Sequence, residues 1–251
     1  MIRAVTDEAA LFAALDALPR DLFTGKLYAL ARGYGVNYPF LRFYFLGRSG
    51  VFARYYGAAT FGGSADGEDP EEIAAFIEMS GLHELFLPES AYLAAFSSFP
   101  AERLNILKYS GKAAPLPSGE IRKNPPYEAV FAVLREGFPA LSFEEWYPDA
   151  CHNVRHGIAA LYLLGESTAE CAFADRGVAL LTAVAAKKAS RGTGRTLRLV
   201  RAVAAEYAGE NDVYVVCRAD LVGFYQRAGF IPSGNAYLIE KGNTRREPRL
   251  S

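Results

Sequence analysis

The residues with the clearest chemical meaning lie between positions 178 and 207, in the stretch VALLTAVAAKKASRGTGRTLRLVRAVAAEY. An apolar run leads into a loop that holds Gly192 and Gly194, and the loop leads into a segment with helical spacing. A strand, a loop and a helix in this order point several backbone N–H groups and the positive end of a helix dipole at one place. The pattern predicts a diphosphate site, to which Arg191 and Arg195 add charge-assisted contacts.

Two widespread phosphate-binding motifs do not fit this loop. A Walker A loop needs a lysine after its last glycine, whereas Arg195 follows Gly194. A dinucleotide-binding fingerprint needs a third small residue, and Leu197 occupies that position. The residues of the loop therefore exclude both alternatives.

A second motif follows one predicted strand later, in the stretch CRADLVGFYQRAGF, which ends at Phe230. Taken with Arg191–Gly194, it resembles the GNAT superfamily of GCN5-related N-acetyltransferases. In that superfamily an Arg/Gln-x-x-Gly-x-Gly/Ala loop precedes a Phe-Tyr-x-x-x-Gly-Phe motif, which matches Phe224 to Phe230 here. The resemblance implies an α/β fold with a mixed, mostly antiparallel central sheet flanked by helices, the acyl-CoA N-acyltransferase fold.

The resemblance also implies roles for individual residues, with acetyl-CoA as the acyl donor. Tyr225 matches a tyrosine that lies in the coenzyme site and protonates the departing thiolate, as a nearby O–H group can. The backbone of the apolar strand would pair with the pantetheine arm at Val184, Ala185 and Ala186. The loop would hold the diphosphate at Arg191, Gly192, Thr193, Gly194, Arg195 and Thr196.

Three positions depart from the superfamily's pattern. Thr196 stands where glycine or alanine is usual, and Arg218 stands where an asparagine is frequent. The strand Leu180–Ala186 contains no glutamate that could act as a general base. The resemblance therefore does not identify the group that deprotonates the acceptor.

The stretch WYPDACHNVRHG offers candidates for that group. Asp149 or His152 could accept the amine proton, or the segment could be a hydrogen-bonded structural turn. Cys151, His152 and His156 have a spacing that also invites a zinc interpretation. No fourth ligand is evident and the segment does not have the pattern of a helix, so we expect no metal site.

These observations predict an N-acetyltransferase that moves an acetyl group from acetyl-CoA to a primary amine. Direct attack in a ternary complex is expected, because no Cys or Ser stands in an evident nucleophile arrangement. The alternative is an acyl-CoA-binding regulatory or sensor module without transfer activity, with which the missing carboxylate base and the altered loop position are compatible. The sequence does not distinguish a small amine, an amino acid, an aminoglycoside or a protein N-terminus as acceptor, and it leaves the acyl chain length open.

Composition and charge narrow the class further. The chain has 251 residues and a formal net charge of −1, which argues against nucleic acid as the main partner. No run of 18 apolar residues occurs, and the N-terminal stretch has the pattern of an amphipathic helix rather than a signal peptide. The sparse set of three cysteines is typical of a reducing compartment, so a cytoplasmic protein is expected. The sequence leaves association as a homodimer open.

The predicted elements divide the chain into two halves. The segment 111–126 carries four prolines and little periodicity, which predicts a linker over 116–126. An N-terminal α/β domain is predicted over 1–115, the acetyltransferase domain over 127–242, and a mobile tail over 243–251. Since the order of elements in the first half is compatible with the same fold, we expect a degenerate second copy there.

Hydrophobic periodicity and turn residues predict the individual elements. The first half is predicted to contain helices at 7–18, 70–79 and 91–96, two strands within 38–59, and further strands at 84–87 and 103–109. The second half is predicted to contain helices at 127–136, 195–208 and 221–228, and strands at 157–164, 169–174, 178–186, 212–217 and 235–241.

Overall fold

The structure is a computed structural model that describes residues 2–65, 69–88, 96, 100–117 and 119–240. The chain forms two compact units. Unit 1 comprises the residues up to Asn105 and the segment that begins at Gly234, and unit 2 comprises Ile106–Ser233. The boundary at Asn105 lies inside the strand Ala101–Tyr109, so this strand contributes residues to both units. The segment 116–126, for which a linker was predicted, therefore belongs to unit 2.

Unit 1 alternates helices with the strands of a mixed sheet. Its elements are β1 (Ile2–Ala4), α1 (Glu8–Ala17), α2 (Leu22–Tyr34), β2 (Leu41–Leu46), β3 (Gly50–Tyr55), β4 (Ala58–Gly63), α3 (Pro70–Met79) and β5 (Glu84–Pro88). Strands β1 to β4 pair antiparallel in sequence order, whereas β4 and β5 are parallel. The end of the last strand of the chain, β12 (Phe230–Glu240), pairs antiparallel with β5.

The helices of unit 1 cover both faces of its sheet. Leu11 and Leu15 of α1 pack with residues of α2 in one apolar cluster against β2 and β3. Ile73 and Ile77 of α3 pack in a separate cluster, which includes the buried Phe61 of β4. This layered arrangement explains why β2, β3 and β4 read as near-continuous apolar and aromatic runs.

Among the described residues, unit 2 repeats this order of elements, with a short strand added before its first helix and a short helix added after its parallel strands. Its elements are β6 (Ala101–Tyr109), β7 (Arg122–Lys123), α4 (Tyr127–Gly137), α5 (Phe143–Arg155), β8 (Ala160–Leu164), β9 (Ser167–Asp175), β10 (Val178–Ala186), α6 (Arg195–Tyr207), β11 (Asp212–Cys217), α7 (Val222–Arg227) and the start of β12. The strand order is β6-β11-β10-β9-β8-β7. Strands β7 to β10 pair antiparallel in sequence order, whereas β10 and β11 are parallel.

The two faces of the unit 2 sheet carry separate cores. Val130 and Leu134 of α4 and Trp146 of α5 pack on one face with Leu161 of β8. Leu199 and other residues of α6 pack on the opposite face, with residues of β9, β10, β11 and α7. These two cores fix the orientation of every strand residue between them, because side chains alternate between the faces of a strand.

Helix α5 corrects one prediction, since the segment from Trp146 to Arg155 is helical. Ser142 caps the helix by accepting a hydrogen bond from the amide of Glu145 at 3.2 Å, in a capping-box sequence. Pro148 lies inside the helix but is exposed, so solvent can satisfy the carbonyl that loses its donor. The buried face with Trp146 and Ala150 outweighs this single lost bond.

Other boundaries differ from the predictions in smaller ways. Strand β12 begins at Phe230 rather than at 235, because Pro232 and Gly234 are typical of loops and conceal its start. The predicted helix over 91–96 and the predicted tail over 243–251 lie outside the described residues, apart from Phe96. The mixed, mostly antiparallel sheet with flanking helices and the two similar halves are as predicted.

Candidate functional site

The loop between β10 and α6 has the backbone that its glycines predict. Gly192 and Gly194 both have a φ of 79°, in the left-handed region that favours glycine. No atom lies within 4 Å of a Cβ placed on either residue, so conformation rather than crowding requires glycine in this structure. Gly194 is the residue directly before α6, and it turns the chain into the helix.

The first turn of α6 leaves several backbone donors available. The first intrahelical bond runs from the amide of Arg198 to the carbonyl of Gly194 at 3.0 Å, so the preceding amides of the turn have no acceptor within the helix. The turn contains no acidic residue and has no side-chain cap. Loop residues Arg191 to Arg195 are exposed. An anion could therefore bind at this helix start without displacing a protein group.

Side-chain contacts hold the loop in shape. The hydroxyl of Thr193 donates to the carbonyl of Ser190 at 2.8 Å. The buried Ser190 hydroxyl in turn donates to the carboxylate of Glu166, in the turn between β8 and β9. Thr196 and Ser167 share a hydroxyl hydrogen bond of 2.9 Å. The unusual threonine at position 196 thus ties the start of α6 to the start of β9.

The arginines of this region have different environments. Arg191 donates to the carbonyls of Ala186 and Glu136, each at 3.3 Å, so its side chain bridges the ends of β10 and α4. Arg198 pairs with Glu120, and Arg201 donates to the carbonyl of Arg227 at 2.6 Å. Arg195 runs beside Gly165. Of these cations, Arg191 and Arg195 are the two that flank the glycine loop.

Strand β10 changes its pairing before it reaches the loop. Thr182 faces Glu170 and Ala185 faces Thr168, so Ala183 and Val184 oppose a single residue of β9. Ala183 has a φ of 51°, which marks this bulge. The parallel ladder with β11 ends at the pair Leu181–Val215, while β10 continues to Ala186. The backbone of Val184, Ala185 and Ala186 thus lies beyond the last rung that β10 shares with β11.

Tyr225 lies on the α6 face of the sheet. Its ring is buried and packs against Phe224 and Phe230, with centroid distances of 5.0 and 5.8 Å. Val184 of β10 and Leu197 of α6 pack against the same apolar cluster, to which Tyr225 belongs. Burial, and to a lesser degree Cys217, raise the pKa of Tyr225 well above its usual range, so the phenol stays protonated at neutral pH.

Asp149 and His152 lie on α5, whose core contacts are on the opposite face of the sheet from those of Tyr225. Asp149, His152 and His156 share one side of the helix, because their spacing is three and four residues. The two imidazole rings stack at 4.1 Å, and Nδ1 of His156 lies 2.8 Å from the carbonyl of His152. Within the described residues, no three His, Cys, Asp or Glu side chains are placed to hold a metal ion.

The sequence interpretation missed Glu170, a half-buried acid in the middle of β9. Its cross-strand partners are Leu161 of β8 and Thr182 of β10, so its side chain lies on the face that α4 and α5 cover. Burial, followed by the charge of Asp149, raises the pKa of Glu170 to about 7. A lone acid inside the apolar run AECAFA was the signal in the sequence that could have identified it.

Comparisons with known proteins extend these observations. No protein-family model matches the sequence, and no curated protein is similar to it in sequence. Solved structures do resemble the fold. A GCN5-related N-acetyltransferase from Sphaerobacter thermophilus is 15% identical with a TM-score of 0.62, over 96% of this chain and 95% of that one. A GNAT-family acetyltransferase from Colwellia psychrerythraea is 13% identical with a TM-score of 0.58, over 96% and 99%.

A third solved structure is relevant to the two similar halves of the chain, because it is a tandem GNAT protein. The tandem GNAT protein from the clavulanic acid biosynthesis pathway is 13% identical with a TM-score of 0.56, over 97% of this chain and 99% of that one. In the part of the chain that the structure describes, no helix has the length and apolar character to span a membrane. The likeness to these solved structures shows that the chain has the GNAT acyl-CoA N-acyltransferase fold, in a form with two similar halves.

Proposed function

We propose that unit 2 is an acetyl-CoA-dependent N-acetyltransferase that acts on a primary amine. The observation that carries this proposal is the convergence of three features in one unit. These are the acid-free helix start after Gly194, the end of β10 beyond its last rung with β11, and the buried phenol of Tyr225. Solved structures with a similar fold include a GNAT-family acetyltransferase and a GCN5-related N-acetyltransferase.

The coenzyme would bind along β10 and the loop that follows it. The diphosphate suits the exposed amides and arginines of residues 191–196, because helix dipole, N–H groups and positive charge all favour an anion there. The pantetheine amides suit the backbone at Val184, Ala185 and Ala186. Arg191 now donates to the carbonyl of Ala186, so coenzyme binding is expected to move this side chain toward the phosphates.

The transfer itself forms a C–N bond and breaks a C–S bond. The amine nitrogen attacks the thioester carbon, and the sulfur leaves as a thiolate that takes the phenolic proton of Tyr225. The raised pKa of Tyr225 keeps that proton available at neutral pH. The amine must lose a proton before or during attack, and Asp149 and His152 are the acceptors predicted from the sequence. Alignment of the two reactants supplies the entropic part of the acceleration.

Calorimetric titration of the full chain with acetyl-CoA and with CoA tests the binding step. We expect both ligands to bind with similar affinity, because diphosphate and pantetheine contacts are common to them. Thiol release with a panel of primary amines then tests transfer. If neither ligand binds, the loop is a structural turn and the enzyme proposal is rejected.

Replacing Tyr225 with Phe separates an enzyme from a coenzyme-binding sensor. An enzyme should lose turnover by about 100-fold while acetyl-CoA affinity stays unchanged, because a general acid contributes to the transition state alone. Tyr237→Phe in unit 1 is the matched control and should leave turnover unaltered. A wild-type chain that binds acetyl-CoA but acetylates no amine would support the sensor instead.

A further inference from the structure

Glu170 lies at the point of the unit 2 sheet where the strands begin to separate. Its partner Thr182 immediately precedes the bulge at Ala183 and immediately follows Leu181, the last residue of β10 that pairs with β11. Any acyl group delivered along the end of β10 would reach the sheet here. Among the described residues of β8 to β11, Glu170 is the one acid that is not at a strand end, since Asp175 ends β9 and Asp212 begins β11.

The surroundings of this carboxyl are apolar. Leu161 lies across from it on β8, and the same core contains Leu163, Ala183 and Ala185. No hydrogen bond or ion pair holds the Glu170 carboxyl within the described part of the chain, although its carboxylate is half-buried. An acid that is neither paired nor fully sealed is a poor structural element, because burial of an unpaired charge costs stability. Its position is better explained by a ligand that brings a positive charge.

Asp149 is the charged neighbour that acts on Glu170. Desolvation comes first and the negative charge of Asp149 second in raising the pKa of Glu170 to about 7, from an ordinary value near 4. No other charge contributes to this shift among the ionisable groups on the two helices that cover this face. Those groups are Tyr127, Glu128, Arg135 and Glu136 on α4, and Glu144, Glu145, Tyr147, Cys151, His152 and Arg155 on α5.

We propose that Glu170 is the general base of the transfer, and that Glu170 and Asp149 together form an anionic site for a cationic primary amine. This inference rests on the proposed acetyltransferase function. The ammonium group gives one proton to the carboxylate of Glu170, and the neutral nitrogen attacks the thioester carbon. The C–N bond forms, the C–S bond breaks, and the thiolate takes the phenolic proton of Tyr225. The second proton that the nitrogen loses on becoming an amide returns to the phenolate oxygen of Tyr225. Asp149 acts through Glu170 and is a positioning residue.

The carboxylates of Glu170 and Asp149 also restrict which class of amine can bind as acceptor. A carboxylate next to the reacting amine would be brought against two like charges, and like-charge contact across a binding site is costly. The acceptor is therefore a primary amine without an α-carboxylate, and free α-amino acids are poor substrates. Two matched pairs test this class, butylamine against norvaline and phenethylamine against phenylalanine, since each pair differs by the carboxylate alone.

Steady-state thiol release at several pH values, with acetyl-CoA and these four amines, tests the base. Wild-type kcat/KM should rise with pH through a limb near 7, since Glu170 acts only when deprotonated. Glu170→Gln should lose that limb and lower kcat by about 10²- to 10⁴-fold, with unchanged acetyl-CoA affinity by calorimetry. Glu170→Asp should retain part of the turnover. The exposed Glu210→Gln is the control and should match wild type.

Asp149→Asn gives a readout that a purely structural role would not produce. Removing its charge should lower the pKa of Glu170 and move the acidic limb of the profile to lower pH, and it should raise KM for the cationic amine because the anionic site loses one charge. An unmoved limb, unchanged turnover in Glu170→Gln, or α-amino acids acetylated as fast as their matched amines would each overturn the inference. A wild-type chain that does not bind acetyl-CoA would instead overturn the proposed function itself.

Discussion

Units 1 and 2 have the same strand pairing, and they differ at the start of the helix that connects the two parallel strands. In both units an antiparallel run of strands ends in a parallel pair, β4 with β5 and β10 with β11. Tyr56 and Arg176, each directly before a glycine, both adopt a left-handed conformation, with φ of 51° and 50°. A common backbone plan thus serves both units.

The helix starts that follow these parallel strands have opposite chemistry. In α3, Asp69 accepts the amide of Glu71 at 2.9 Å, Pro70 has no N–H group, and Glu71 and Glu72 add negative charge. In α6, Gly194 leaves the amides free and no acid occupies the first turn. The dipole of α3 is thus satisfied by the protein itself, whereas that of α6 is available to a ligand. If unit 2 binds the coenzyme as proposed, a few residues rather than the fold decide which unit binds an anion.

An acidic residue at the start of α6, like those at the start of α3, should have the largest effect on acetyl-CoA affinity. Gly194→Asp places a carboxylate at the predicted diphosphate position, and aspartate tolerates the left-handed conformation better than most residues. Because like-charge contact costs several kcal/mol, we expect acetyl-CoA affinity to fall by about 100-fold or more. Calorimetry measures the change. Gly177→Asp has the same backbone constraint, with a φ of 78°, and should bind acetyl-CoA as wild type does.

A core truncation in unit 1 should separate stability from coenzyme binding. Ile77 of α3 is fully buried, and Ile77→Ala should lower the free energy of unfolding by about 2–5 kcal/mol through the lost transfer energy and the cavity. Acetyl-CoA affinity should not change, since an aspartate side chain caps the start of each helix that the structure describes in unit 1. Urea denaturation and calorimetry give the two values. Reduced affinity in a still-folded Ile77→Ala chain would show that unit 1 supports the coenzyme site.

Removing the side-chain cap of α3 should cause a smaller loss of stability, again with unchanged binding of acetyl-CoA to unit 2. Asp69→Ala removes the side-chain acceptor of the Glu71 amide and should cost about 1 kcal/mol of stability. It also removes one negative charge from a helix start, and acetyl-CoA should still bind to unit 2 alone. Thermal unfolding measures the first effect and the stoichiometry of calorimetry measures the second. Two bound acetyl-CoA molecules per chain would contradict the contrast between α3 and α6.

The sequence predicted the local parts of the site better than its long-range parts. The glycine loop was located because φ, helix start and charge are properties of adjacent residues. Glu170 was missed because its orientation depends on its pairing with Leu161 and Thr182, which the sequence does not contain. Helix α5 was missed for a related reason, since the buried face of Trp146 and Ala150 overrides Pro148. The unit boundary inside β6 likewise follows from strand pairing rather than from the prolines near it.

The smallest predicted loss of stability concerns Thr196 at the start of α6. Its side chain bonds to Ser167, whereas the first residues of α3 are exposed. Thr196→Ala restores a residue usual in the superfamily, but it leaves the fully buried Ser167 hydroxyl without its partner. An unsatisfied buried hydroxyl costs about 1–3 kcal/mol, so thermal unfolding should show a loss of stability near the lower end of that range. Ser167→Ala combined with Thr196→Ala should recover most of it, because both polar groups are then removed. If the double variant is no more stable than Thr196→Ala, the loss of stability does not come from an unpaired Ser167 hydroxyl.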